Sequence, residues 1–261
     1  VIILILSIST ILAVAFAYSK YDQSVSWQQT FPTNSLDIIF LISFMGWMPA
    51  PLDISIWHSL WSIEKKKDEK SYTPKSALFD FNIGYAGTLV LGFGFLLLGY
   101  FVMYHSGETF SDKAGVFSNQ LIEIYVESLG SWSYIIIGIA AFTTMFSTTL
   151  TTLDASPRAM DRSSKLLFNK TFEKGYVFWI VVLTVGTLFI FFVLVSEMGL
   201  LVRIATVVSF LTAPFYAIMN YLLITSKHTP KAWHPSKWLR ILSLVGILFL
   251  ISFSIWYLTL L

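Results

Sequence analysis

The sequence predicts an all-α fold, a polytopic bundle of membrane helices. Three observations carry this. The hydrophobic share is 56% and only 12% of residues are charged, against about 25% charged in soluble domains. Seven segments are apolar over enough length to cross a bilayer, which takes about 20 residues per helix. They fall near 1–18, 36–61, 82–104, 132–153, 175–195, 200–224 and 239–260. Basic residues concentrate in alternate connections. Aromatic residues make up 17%, as expected where rings fill both the core and the interfacial belts.

The first segment opens Val1-Ile2-Ile3-Leu4 without an initiator Met, a charged n-region or a small-residue cleavage site. It reads as the interior of a membrane helix, so the chain is expected to be a fragment whose N-terminal helices are missing. Its 261 residues are expected to form a single transmembrane domain of about seven helices.

The second segment, 36–61, is long enough to span but is interrupted by Gly46, Pro49, Pro51 and Asp53. Each proline lacks an amide donor and pushes its predecessor out of helical angles. A break is therefore expected within residues 46–51. Carbonyls freed there cannot be satisfied by lipid, so such a break survives only inside protein or beside a polar cavity. Broken helices at mid-membrane build the substrate and ion sites of many secondary transporters. The alternative is a proline kink packed against neighbours, with no ligand.

The third segment carries Gly84, Gly87, Gly92, Gly94 and Gly99, which let helix backbones approach closely. The fourth is rich in hydroxyls from Thr143 to Thr152; these can bond their own helix, bond across helices or line a wet path. The fifth and sixth are joined tightly around Ser196–Gly199, and Pro214 is expected to kink the sixth. The seventh follows Trp233 and Trp238, suited to a water–lipid interface.

Stretches 62–78, 154–175 and 225–240 hold fourteen of the 17 basic residues. The positive-inside rule makes them cytoplasmic, which starts the chain inside and ends it outside. A signalling receptor would start outside, so that class is disfavoured.

Asp53 is the one carboxylate deep in a spanning segment. Burying it costs several kcal/mol unless it is paired, hydrated or protonated, which marks it as a proton acceptor or cation ligand. The alternative role is to cap the second half-helix. His58, five residues on, sits about 140° round the helix and is read as a proton relay or a structural histidine. Thr148 and Asp154 are candidates for the cytoplasmic mouth of a path. Asp80 and Asn82 are read as solvated or capping groups, and Glu197 as solvated. His105, His228 and His234 show no metal-ligand spacing. No phosphate loop, zinc-protease helix or nucleophile elbow is present, so an enzyme is not expected. No cofactor and no nucleic-acid partner are expected either. The chain has no cysteine, which excludes disulfides and thiolate metal sites.

The stretch Gly46–Ser59 resembles the sixth transmembrane helix of the NRAMP divalent-metal/proton transporters, with its Met-Pro-His core and following His-Ser pair. The order of the rest is similar too. The Gly/Phe-rich third segment looks like the family's seventh helix, Ser147–Asp161 like the polar end of its eighth, and Leu211–Phe215 like its tenth. The match to helices five to eleven implies part of a five-plus-five inverted-repeat transporter fold. It implies proton-coupled transport of a divalent metal of Mn or Fe type, or of Mg²⁺, in a bacterial inner membrane. Met48, Ala50 and Asp53 are then the candidate metal ligands, with His58, Thr148 and Asp154 as proton-pathway or supporting groups. The partners implied are the divalent ion, protons, the lipid bilayer and the missing N-terminal helices.

The departures bear on the metal. Anchoring on His58-Ser59 puts Pro51 where the family has its methionine and Asp53 where it has a histidine. Anchoring on Met48-Pro49 restores the methionine and requires an insertion before His58. Methionine sulfur selects soft metals over hard cations, so a site without it suits Mg²⁺ or Mn²⁺. The family's aspartate and asparagine ligands would lie upstream of Val1. A symporter of amino acids or other organic solutes on the same fold is the alternative.

Overall fold

The computed structural model describes residues 2–22, 28, 31–32, 34–48, 50–104, 110–111, 113–168, 173–194 and 198–259. Among these, nine α-helices account for the regular structure, with one short 3-10 turn at Lys231–Trp233. They are α1 (Ile2–Ser19), α2 (Ser35–Trp47), α3 (Ile54–Asp68), α4 (Pro74–Val102), α5 (Ala114–Leu129), α6 (Ser133–Phe168), α7 (Gly175–Leu194), α8 (Met198–Thr225) and α9 (Lys237–Leu258). Five of them, α4 and α6 to α9, are long and apolar enough to cross a membrane, and Leu4–Ser19 and Asp37–Trp47 are shorter apolar helices. These correspond to the seven apolar segments of the sequence.

Three elements differ from expectation. Helix α5 lies in what reads as a loop, because its amphipathic 16 residues contain no long apolar run. It ends at Gly130, whose φ of 98° is a conformation that side chains with a Cβ resist. Helix α6 continues to Phe168 rather than ending near 153. Its 36 residues measure about 54 Å, well beyond the ~30 Å hydrocarbon core. The basic residues assigned to connections are largely helical. Lys65, Lys66 and Lys67 form the last turn of α3, where cations favour the helix dipole, while Arg158, Arg162 and Lys165 lie on α6. Pro214 sits within α8 without ending it. The hairpin residues 195–197, with Glu197, and also His105 lie outside the described residues.

Helix starts follow their sequence signals. Pro74 opens α4 behind Thr73, whose Oγ1 accepts from Ser76 N at 3.3 Å. Ser236 caps α9 through Leu239 N at 3.4 Å. Both side chains satisfy an amide that has no partner inside the helix.

The described chain forms two compact units. The first takes residues 1–27 and 56–200. Its core gathers Ala13, Ala17, Leu98, Ile124, Tyr125 and Ile137 from α1, α4, α5 and α6. Thr10 is fully buried there; its hydroxyl meets Leu6 O at 2.8 Å and Tyr125 Oη at 2.7 Å, so no polar atom of the pair is left bare. The second unit takes residues 28–55 and 201–261. There Ile38 and Ile42 of α2 pack on Phe210 of α8 and Tyr257 of α9. In both units large apolar side chains such as Phe93, Phe142, Phe189 and Phe249 are exposed, the surface of helices whose solvent is lipid.

Candidate functional site

In the second unit, α2 stops at Trp47 and α3 starts at Ile54; no described residue between them is helical. Met48 N still reaches Phe44 O at 2.9 Å, the last bond of the first half-helix. The chain then turns: Ile54 N bonds Pro51 O and Ser55 N bonds Leu52 O, both at 3.2 Å. The interruption expected from the prolines is thus present over 48–53, with Pro49 itself outside the described residues.

Helix α8 holds both ends of the break. Gly46 lies against the Thr206 backbone so closely that a Cβ built on it would sit 2.0 Å from the Thr206 carbonyl oxygen. One residue on, Trp47 Nε1 donates to Ser209 Oγ at 3.0 Å. Past the break, Asn220 Nδ2 donates to Ser55 Oγ at 3.0 Å, and that hydroxyl donates to Leu52 O at 2.8 Å. Ser209 and Asn220 are eleven residues apart on α8, about 16 Å along its axis, with Thr212 and Pro214 between them. The α8 residues that do this were not read from the sequence. Their signal is a small or polar residue at 206, 213 and 220, seven apart, which keeps one helix face narrow.

Met48, Ala50 and Asp53 all lie on the interruption and are half-buried. Asp53 immediately precedes α3, the position of a cap, yet among the described residues no hydrogen bond or ion pair engages its carboxylate. Among the described residues none fills the four sites a carboxylate offers to donors. Among the described residues no group of three His, Asp or Glu side chains stands ready as a metal cage.

The other three candidates belong to the first unit. The His58 ring packs edge-on against Phe81, with centroids 5.3 Å apart. Thr148 is exposed on α6 and its hydroxyl donates to Thr144 O at 2.9 Å. Thr143, Thr144, Thr149, Thr151 and Thr152 likewise bond the carbonyl four residues back. Each thereby uses its proton within the helix and leaves oxygen lone pairs facing outward.

Asp154 is fully engaged. Arg158 Nε reaches both of its oxygens at 2.9 and 2.8 Å, Tyr176 Oη donates to Oδ1 and Trp61 Nε1 to Oδ2, each at 3.0 Å. The guanidinium also lies 5.3 Å from the Tyr176 ring centre. These bonds tie α3, α6 and α7 together, and neither Trp61 nor Tyr176 was expected from the sequence to join Asp154. Asp80 sits in the second turn of α4, where it accepts from Tyr72 Oη at 3.2 Å and pairs with Lys65 Nζ at 3.3 Å. It is an ion-pair partner rather than a cap.

Helix after apolar helix with an interrupted one held open on a neighbour defines a polytopic helical membrane protein. The chain belongs to the natural resistance-associated macrophage protein-like family, Nramp, whose pattern matches residues 1–260. It is similar to an uncharacterized protein of Pasteurella multocida (strain Pm70), 34% identical over 263 residues. That match covers 97% of this chain and 59% of the relative, so the chain spans little more than half of the relative's length. No solved structure matches it.

Proposed function

We propose that the protein carries divalent metal cations across a bacterial inner membrane, coupled to proton movement, and that the ion binds at the interruption between α2 and α3. One observation carries this reading: Asp53 presents a half-buried carboxylate without a partner among the described residues, on backbone that is not helical. An isolated carboxylate is unfavourable in an apolar surround, and a cation or a proton removes that cost. Met48 offers a thioether, and Ala50 has only its carbonyl to offer. A sulfur ligand favours a softer transition metal such as Fe²⁺, whereas oxygen ligands alone suit Mg²⁺ or Mn²⁺. His58 and Thr148 act as supporting groups, and Asp154 holds the helix ends in place through its four bonds. Ligands from the remaining length of a longer protein complete the shell.

The test is uptake into proteoliposomes carrying the full-length protein. Mn²⁺ or Fe²⁺ uptake should rise when the outside is made more acidic than the lumen, with protons entering alongside. Accumulation of a labelled amino acid without metal uptake would transfer the assignment to an organic-solute symporter.

We further propose that the basic ends of α3 and α6 face the cytoplasm, on the charge bias of the loops. Cysteines placed at Lys66 and Lys165 should react only with membrane-permeant thiol reagents in intact cells, and one at Lys113 with impermeant ones. Labelling of the Lys66 position from outside would invert the topology.

A further inference from the structure

Two cavities adjoin at Asp161, among the basic ends of α3, α6 and α7. The larger, about 380 Å³, is walled by Phe168, Phe178 and Trp179, with Trp179 Nε1 donating to Ser164 Oγ at 3.1 Å. The smaller, about 170 Å³, is lined by Glu64, Arg158, Arg162, Lys165 and Tyr176. Asp161 lines both and is 8% exposed.

The charges round the smaller cavity are nearly all committed. Glu64 is held by Lys67 at 2.8 Å, Asp154 by Arg158 at 2.8 Å and Asp161 by Lys165 at 2.6 Å. The Lys67 ammonium keeps the Glu64 carboxyl below its ordinary range. Among the described residues Arg162 has no carboxylate partner. Its charge acts on Glu64, but among the described residues no ion pair occupies its guanidinium, and that planar fork matches the geometry of a phosphate. Asp161 Oδ1 is buried without a hydrogen-bond partner, so a hydroxyl donor brought to the junction would be stabilised there.

A soluble anion would satisfy Arg162 and leave the aromatic compartment idle. A neutral lipid would do the reverse. A ligand with a phosphate, headgroup hydroxyls and an apolar tail uses every part, and basic pockets between membrane helices take such lipids. We propose that this junction binds one anionic glycerophospholipid of the phosphatidylglycerol type, its phosphate on Arg162 and its acyl-glycerol part against Phe168, Phe178 and Trp179.

The experiment takes the full-length protein in nanodiscs of phosphatidylcholine and phosphatidylglycerol, releases it gently and weighs it by native mass spectrometry. The wild type should retain one phosphatidylglycerol. Losing a charge-assisted contact costs about 1.5 kcal/mol, so Arg162→Gln should retain it roughly tenfold less while melting as the wild type does. Lys75→Gln, in the first turn of α4, should retain it normally, and Trp179→Ala should lose it. Equal retention in Arg162→Gln and wild type overturns the proposal, as does no retention by the wild type. Displacement by inorganic phosphate would make this a free-anion site, and equal retention of phosphatidylcholine an acyl groove without charge recognition; either also overturns it.

Discussion

Asp53→Asn should abolish metal uptake, or uncouple it from protons, in a protein that still folds and inserts. The substitution removes a titratable charge and nearly preserves shape, so lost packing is a weak competitor. A capping role predicts the opposite: asparagine caps a helix about as well as aspartate, and only alanine costs ~1 kcal/mol. Among the described residues the Asp53 carboxylate accepts no amide at the start of α3. Metal uptake and proton flux on the reconstituted variant decide it. Unchanged uptake with unchanged pH dependence would remove Asp53 from the site and take the main support for the metal reading with it.

Gly46→Ala should strongly destabilise the protein. The new Cβ would lie 2.0 Å from the Thr206 carbonyl oxygen and 2.8 Å from its carbon. Both sides of that contact are helix backbone, so no side chain can rotate away; α2 and α8 must part. Overpacking of this kind costs roughly 3 kcal/mol or more. Parting the helices also strains the Trp47–Ser209 bond beside the interruption. Gly246→Ala on α9 is the matched control, since nothing lies within 4 Å of its Cβ position, and removing a helical glycine there is worth roughly 0.5–1 kcal/mol. Thermal unfolding in detergent should place the two variants on opposite sides of the wild type. A Gly46→Ala protein as stable as wild type would show that α2 and α8 do not meet as described.

The sequence by itself determined the membrane class, the seven apolar segments and the broken one. Each of these rests on local chemistry: an apolar run of a given length crosses lipid, and Pro49 and Pro51, two residues apart, each remove an amide donor and disfavour helical angles at the residue before. The place of Asp53 on the interruption was legible for the same reason, since a carboxylate in an apolar segment is conspicuous by itself. Helix α5 and the long tail of α6 were not legible, because a polar or amphipathic helix shows no apolar run. Only the tertiary structure decided which helix faces meet. Trp47 finds Ser209 at a separation of 162 residues and Asn220 finds Ser55 at 165, while Trp61 and Tyr176 converge on Asp154 from two different helices. No spacing along the chain encodes such pairings. They follow from which surfaces pack closely enough for Gly46 to touch a backbone, and that is settled when the helices assemble.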